Sequence, residues 1–254
     1  MNKKYIFNIS KKHTPEVKIN IKKNWHRHDI VNELKGNNNI GVELGVAKGV
    51  FAKRLLNSLK FKKLYGVDMY NDVHDTNEYA NTLKYLGLEN SKYYLLRMDF
   101  ESANNIFKDE SFDFIYVDGF AHSGEEGGKT LIDWYKKLKI GGILAGDDYH
   151  SDWPLVVWAV NDLAKQLNAT INLTEITEDE PYSKYPSWYL TKKENHENLK
   201  INALLYKLGM REKSRVNSER VGYRAILRSR ISKILRYLRL RNFVIKLFKL
   251  NIKQ

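Results

Sequence analysis

Residues 112–149 read "FDFIYVDGFAHSGEEGGKTLIDWYKKLKIGGILAGDDY" and contain the unit from which the fold is built. Two apolar, β-rich runs, "FDFIYVD" (112 to 118) and "GGILAGDD" (141 to 148), each end in acids. Between them, "GKTLIDWYKKLK" repeats its apolar residues every three or four positions, the period of a helix with one buried face. Strand, helix and strand in succession predict a βαβ unit with its strands parallel. Asp118, Asp147 and Asp148 then stand at the carboxyl ends of neighbouring strands, where open parallel sheets bind their ligands. Acids beside buried strands are costly unless something uses them.

The same pattern extends in both directions. "IGVEL" (40 to 44), "KLYGVD" (63 to 68) and "YYLLRMD" (93 to 99) alternate with the helical "VFAKRLLNSL", "TNEYANTLKYLG" and "SANNIF". After the fifth strand come a helix opened by Pro154, "PLVVWAVNDLAKQL", and two further strand candidates, "TINLTEIT" and "SWYLTK". The expected fold is α/β, a doubly wound, mostly parallel sheet of seven strands with helices on both faces. Residues 1–35 read as an N-terminal extension with a helix, 36–195 as the sheet domain and 196–254 as a basic helical tail.

Composition narrows the functional classes. With 43% hydrophobic and 12% aromatic residues, the chain has the means to fold. No run reaches the ~18 apolar residues of a membrane span, and "MNKKYIFNISKKHTPEVK" lacks a secretory apolar core, which points to the cytoplasm. The absence of cysteine removes disulfides, zinc–thiolate sites and thiol nucleophiles. The net charge of +13 is localised: Met1 to Leu205 carry 28 Lys and Arg against 28 Asp and Glu, whereas Tyr206 to Gln254 carry 15 against 2. A neutral body thus bears a basic tail of the kind that meets a polyanionic surface.

The first strand and its turn read "VELGVAKGVFAKRLL". Gly45 permits a tight turn, Gly49 lets backbone approach a ligand at a helix N-terminus, and Glu43 can accept from a ligand ammonium or hydroxyl. Ala47 stands where the dinucleotide fingerprint G-x-G-x-x-G would place a second glycine, which argues against a pyrophosphate. Asp68 ends the second strand at a good position for an acid that takes both hydroxyls of a ribose. Asp99 ends the third as an acceptor for an adenine amine, with Phe100 beside it as a ring to stack on.

Together "ELGVAKG", "YGVDMY", "MDF", "FIYVDGFAH" and "KIGGILAGDDY" resemble the class I S-adenosylmethionine-dependent methyltransferases, and most of all the branch with metal-dependent small-molecule and sugar O-methyltransferases. The resemblance covers residues 25 to 195. It implies that Glu43, Gly45, Gly49 and Asp118 line the methionine end of S-adenosylmethionine, that Asp68 binds the ribose and that Asp99 binds the adenine. Carboxylates on adjacent strand ends, ~4.8 Å apart, would repel and raise one another's pKa unless a cation joins them. All-oxygen ligands suit magnesium, so Asp118, Asp147 and Asp148 are the expected metal ligands. His122, four residues after Asp118, is a candidate general base beside it. The alternative keeps Asp118 on the methionine, Asp147 as a helix cap, Asp148 solvated and His122 as a hydrogen-bonding partner. His150 and His74 are expected on loop surfaces, while Tyr149 and Trp153 are placed to stack on a sugar. "EITEDEPYSKYP" is read as a solvated acidic loop placed to act as a lid.

In "AILRSRISKILRYLRLRNFVIKLFKL", Leu227, Ile231, Ile234, Leu235 and Leu238 recur at three and four among Arg and Lys, the pattern of a basic amphipathic helix in an anionic membrane interface. Packing on the body or a partner is a second reading, and RNA binding a third. The expected function is methyl transfer to a hydroxyl of a sugar or glycan precursor on the inner membrane face. The rivals are a nucleic-acid methyltransferase that grips with its tail and a non-catalytic S-adenosylmethionine-binding membrane module.

Overall fold

The computed structural model describes residues 3–71, 74–88, 90–177 and 184–221. Helix α1 (Lys3–His13) and strand β1 (Ile19–Lys22) lead through a 3-10 turn (Arg27–Glu33) to β2 (Asn39–Leu44), α2 (Val50–Asn57), β3 (Phe61–Asp68) and α3 (Thr76–Leu86). There follow β4 (Tyr93–Arg97), α4 (Phe100–Ile106), β5 (Phe112–Val117), the short turns Ala121–Ser123 and α5 (Gly124–Gly127), α6 (Lys129–Lys137) and β6 (Leu138–Gly146). The last elements are α7 (Pro154–Gln166), β7 (Ile171–Thr174), β8 (Trp188–Thr191) and α8 (Ala203–Val221). The chain divides into two compact units, Met1–Lys213 and Ser214–Gln254. In the second, Arg215 pairs with Glu219 one turn on at 2.8 Å. The amphipathic pattern over 225–250 and half of the acidic loop (178–183) lie outside the described residues.

The strands form one sheet in the order β1-β7-β8-β6-β5-β2-β3-β4. Every pairing is parallel except those of β8 with β6 and β7. The expected doubly wound, Rossmann-like methyltransferase fold is therefore present, with eight strands in place of seven. The additional strand, β1, pairs with β7 at the sheet edge. From β2 the chain runs outward to β3 and β4, then returns to β5 on the other side of β2, so the topological switch lies between β2 and β5.

The central strands are buried on both faces, and alternation assigns their side chains. On β5, Ile115 and Val117 enter one core with Trp134, Trp158 and Leu163, whereas Phe114 and Tyr116 enter the other with Phe51, Leu55 and Ile30. The ladders continue one residue past the strand ends through Gly45 N–H to Val67 O (2.9 Å), Asp118 N–H to Leu44 O (2.8 Å) and Asp147 N–H to Val117 O (3.2 Å). Carried one step on, the registers place Asp68, Gly45, Asp118, Asp147 and Ser187 in a single row across five strands. Gly45 is required there: its φ is +95°, and a Cβ would lie 1.6 Å from the Asp118 carbonyl oxygen.

The stretch "GEEGG" (124 to 128) does not continue a right-handed helix. Gly124 (φ 60°, ψ 54°), Glu125 (52°, 54°) and Glu126 (55°, 41°) are all left-handed, and Gly128 N–H closes back on Gly124 O at 2.9 Å. Such a turn costs about 1–2 kcal/mol for each residue that is not glycine. Backbone packing holds it: a Cβ on Gly209 of α8 would lie 2.5 Å from Ser123 O and 2.6 Å from Gly127 N. Gly209→Ala should therefore destabilise the protein by about 2 kcal/mol or more, seen as a lower urea midpoint at unchanged slope. A wild-type midpoint would mean that α8 does not brace the turn.

Candidate active site

The row at the carboxyl end of the sheet brings together three of the sequence-predicted acids, Asp68, Asp118 and Asp147, with Glu43 two residues before Gly45 on β2. Glu43 is 1% exposed, and its Oε2 is buried without a hydrogen-bond partner. Burial, then the charge of Asp118, raises its pKa well above the ordinary carboxylate value. An orphaned, buried acceptor at the end of β2 fits the ammonium end of a bound S-adenosylmethionine.

Asp68 pins the glycine turn. Its Oδ2 accepts from Val46 N–H (2.9 Å) and Ala47 N–H (3.0 Å), and its Oδ1 from Tyr70 N–H (3.1 Å). A carboxylate offers about four acceptor sites, so one remains for a ligand hydroxyl. Ala47 has a left-handed φ of 47° where glycine is usual. Its carbonyl, taking Tyr70 OH (2.7 Å) and Thr82 Oγ1 (2.8 Å), helps hold that conformation. Gly49 is the left-handed N-cap of α2 at φ 74°.

Asp99 caps α4 by accepting from Ser102 N–H (2.7 Å) and Ser102 Oγ (2.9 Å), and the backbone bond to Ser102 lowers its pKa. Phe100 differs from the expectation of a stacking ring. It is 6% exposed and packs edge-on to Phe120, because a helix opened by Asp99 turns its first apolar residue into the core.

Asp118 and Asp147 converge as expected, but on a guanidinium. Arg27 Nη1 lies 3.5 Å from Asp118 Oδ2 and 3.4 Å from Asp147 Oδ2, with the Arg27 side chain 3% exposed and its Cζ 4.4 Å from the Phe51 ring centroid. Asp147 Oδ1 accepts from Ser187 Oγ (3.0 Å), which pairs in turn with Tyr116 OH (2.9 Å). Burial raises the pKa of both carboxyls, and Arg27 opposes the rise. Asp148, at a left-handed φ of 62°, is pushed up to about 7 by burial and then by Asp118.

These residues do not fit the expected metal. Among the described residues no three His, Cys, Asp or Glu side chains are arranged to hold an ion. The shared face of Asp118 and Asp147 is taken by a cation, and the far oxygen of Asp147 by a hydroxyl. The expectation of magnesium on Asp118, Asp147 and Asp148 finds no support among the described residues; crowding of the first two carboxylates is relieved by Arg27, from the segment read as an extension. An Arg in "NWHRHDIV" carries no periodic signal, and only the fold brings it to the strand ends.

The reading also missed Glu125. The left-handed turn buries it (3% exposed), leaves Oε2 without a partner and sets it against Asp118 and Asp148; burial, then those charges, push it up to about 8. The glycines that flank two acids in "GEEGG" were its sequence signal. His122 is exposed on the turn Ala121–Ser123, edge-on to Trp153 at 4.7 Å. His150 stacks on Tyr185 at 4.5 Å, and Tyr185 meets Trp153 at 6.4 Å. His74 pairs with Glu78 at 2.5 Å. Tyr149 is turned inward onto Asn161 (2.6 Å), so Tyr185 takes the rim position expected of it.

Residues 42–149 match the family model for a methyltransferase domain. No curated protein matches the chain. Among similar solved structures, spermidine synthase from Thermotoga maritima superposes with a TM-score of 0.50 at 15% identity, over 77% of this chain and 74% of that one, a likeness of fold alone. A putative methyltransferase from Streptococcus mutans in complex with S-adenosylhomocysteine aligns at 0.47 and 19% identity, over 65% and 94%. A putative sarcosine dimethylglycine methyltransferase from Galdieria sulphuraria aligns at 0.37 and 20% over 47% of this chain, which spans 42% of that protein's length. Over residues 42–149, from within β2 to just past β6, this chain is thus similar to a methyltransferase domain.

Glu125 makes stability depend on pH. Its folded pKa of about 8 lies above the ordinary 4.5, so between those values the folded state holds the proton and stability falls as pH rises through about 8. Asp148 contributes with the same sign up to about 7. Glu125→Gln, permanently neutral, should flatten the fall in thermal midpoint across this window. Parallel wild-type and mutant curves would show that Glu125 titrates normally.

Proposed function

We propose that this methyltransferase acts on a hydroxyl of a sugar or glycan precursor, at an anionic membrane surface engaged by its basic tail. The observation that carries the reading is a pair of strand-end carboxyls with raised proton affinity, Asp118 and Asp148, near an aromatic rim of His122, Trp153, Tyr185 and His150. Glu43, Gly45, Gly49, Asp68 and Asp99 would hold S-adenosylmethionine, which when bound supplies an electrophilic methyl group on a sulfonium.

The chain's own residues have three tasks. Asp118 or Asp148 takes the proton of the attacking hydroxyl, since a base with a pKa near the working pH combines availability with driving force. The rim offers ring faces and polar edges suited to a sugar and can hold the acceptor oxygen in line. His122, exposed beside Trp153, contacts the acceptor and is the second candidate base. A sugar is favoured by the resemblance noted above and by this rim. The membrane is favoured by the charge of the tail, each basic residue contributing about 1 kcal/mol near an anionic surface before screening.

Labelled S-adenosylmethionine supplied with nucleotide sugars, lipid-linked glycans or RNA tests the acceptor class. Label is expected in a sugar hydroxyl, and label in RNA alone would sink the reading. Asp148→Asn should lower transfer by about 10²–10⁴-fold and remove the limb that rises through about pH 7. An unchanged profile would pass the task to Asp118 or His122.

Removal of residues 222–254 should leave S-adenosylhomocysteine binding intact and abolish sedimentation with anionic liposomes. Full-length protein that ignores anionic liposomes yet binds RNA with a steep salt dependence would favour the nucleic-acid rival.

A further inference from the structure

We infer that Arg27 is a built-in positioning cation, standing where a divalent ion would have to sit between Asp118 and Asp147, so that the site holds its strand-end acids without a metal. The geometry leaves little room for both. An oxygen-ligated ion such as magnesium needs carboxylate lone pairs at about 2.0–2.1 Å. Arg27 Nη1 already faces Oδ2 of both acids at 3.5 and 3.4 Å, and Ser187 Oγ holds the other oxygen of Asp147 at 3.0 Å.

Nor is the guanidinium a loose surface group that an ion could displace. It is 3% exposed and lies 4.4 Å from the ring of Phe51, and its 3-10 turn is anchored in the core by Ile30 and Val31. Expelling it would bury an unpaired charge elsewhere, whereas leaving it in place would set a divalent ion against a like charge. A single nitrogen of the guanidinium, Nη1, faces both acids, while the Phe51 ring fixes the guanidinium plane. Arg27 would thereby hold the Asp118 carboxylate in one orientation toward the acceptor side.

The part Arg27 plays in transfer rests on the function proposed above, but its exclusion of an ion is measurable without any acceptor. Full-length protein would be titrated with Mn²⁺ under electron paramagnetic resonance, with and without S-adenosylhomocysteine, whose own binding is followed by calorimetry in chelator. The wild type should bind S-adenosylhomocysteine equally well in chelator and show no one-to-one Mn²⁺ site. Arg27→Met, which removes the cation and keeps much of the bulk, should acquire one, because the like charge that opposed an ion is gone, and should lose it again when Asp147→Asn is added. Stoichiometric Mn²⁺ on the wild type that disappears in Asp147→Asn overturns the inference, as does a folded Arg27→Met that takes up none. If circular dichroism shows Arg27→Met unfolded, the wild-type titration decides. Failure of S-adenosylhomocysteine to bind at all would instead count against the methyl-transfer reading and leave the ion result standing.

Discussion

Carboxylates on neighbouring parallel strands repel, and the site depends on how this chain contains that repulsion. Strand spacing alone sets Asp118 and Asp147 ~4.8 Å apart, with Asp68 and Asp148 near and Glu43 and Glu125 behind them. Arg27 makes the central pair tenable. Burial works against its charge, yet the carboxyls of Asp118 and Asp147 favour the ionised form. The 3-10 turn that carries it is thereby part of the site.

What Arg27 does not neutralise is dealt with by protonation and by backbone donors. Asp68 spreads its charge over three amides and Asp99 over one amide and a hydroxyl. Asp148 and Glu125 find less compensation, and their proton affinities rise. Much of the backbone strain follows the same geography: among the described residues nine that are not glycine have positive φ, and five of them, Ala47, Tyr70, Glu125, Glu126 and Asp148, lie in loops that leave the carboxyl ends of β2, β3, β5 and β6. Strain of about 1–3 kcal/mol per residue persists only where surroundings over-determine it. Here the hydroxyls of Tyr70 and Thr82, and the glycine contact with α8, supply the restraint.

The fold was legible because the central strands are buried on both faces and read as apolar runs ended by acids, while each helix shows its period. β1 was not. "INIK" is four residues long with exposed side chains, and only its backbone bonds to β7 make it a strand. In the site, a strand end predicts where Asp118 and Asp147 stand but not what stands opposite them. The partner of those acids is 91 and 120 residues away in sequence, and no local pattern could announce it. Phe100 departs from the expected stacking role for a related reason, since an acid at a strand end is also at the start of the next helix, and the cap that Asp99 makes there turns Phe100 into the core. Glu125 was hidden by a turn whose handedness is visible only once five successive φ values are positive.

The excess of acid over base has a consequence for the proposed chemistry. Carboxyls whose proton affinity is raised by burial and by one another respond strongly to any new positive charge, because the medium around them screens little. With a sulfonium alongside, Asp118 and Asp148 would favour the ionised form that can take a hydroxyl proton. Once the methyl has left and the sulfur is neutral, the same acids regain their affinity and retain that proton. A single arginine against Asp118 and Asp147 leaves Asp148 free to swing most widely, whereas a divalent ion held by Asp118, Asp147 and Asp148 would keep all three ionised throughout. The arrangement thus favours a base that changes affinity with the charge state of its neighbour, and the ratio of one guanidinium to several acids is what permits it.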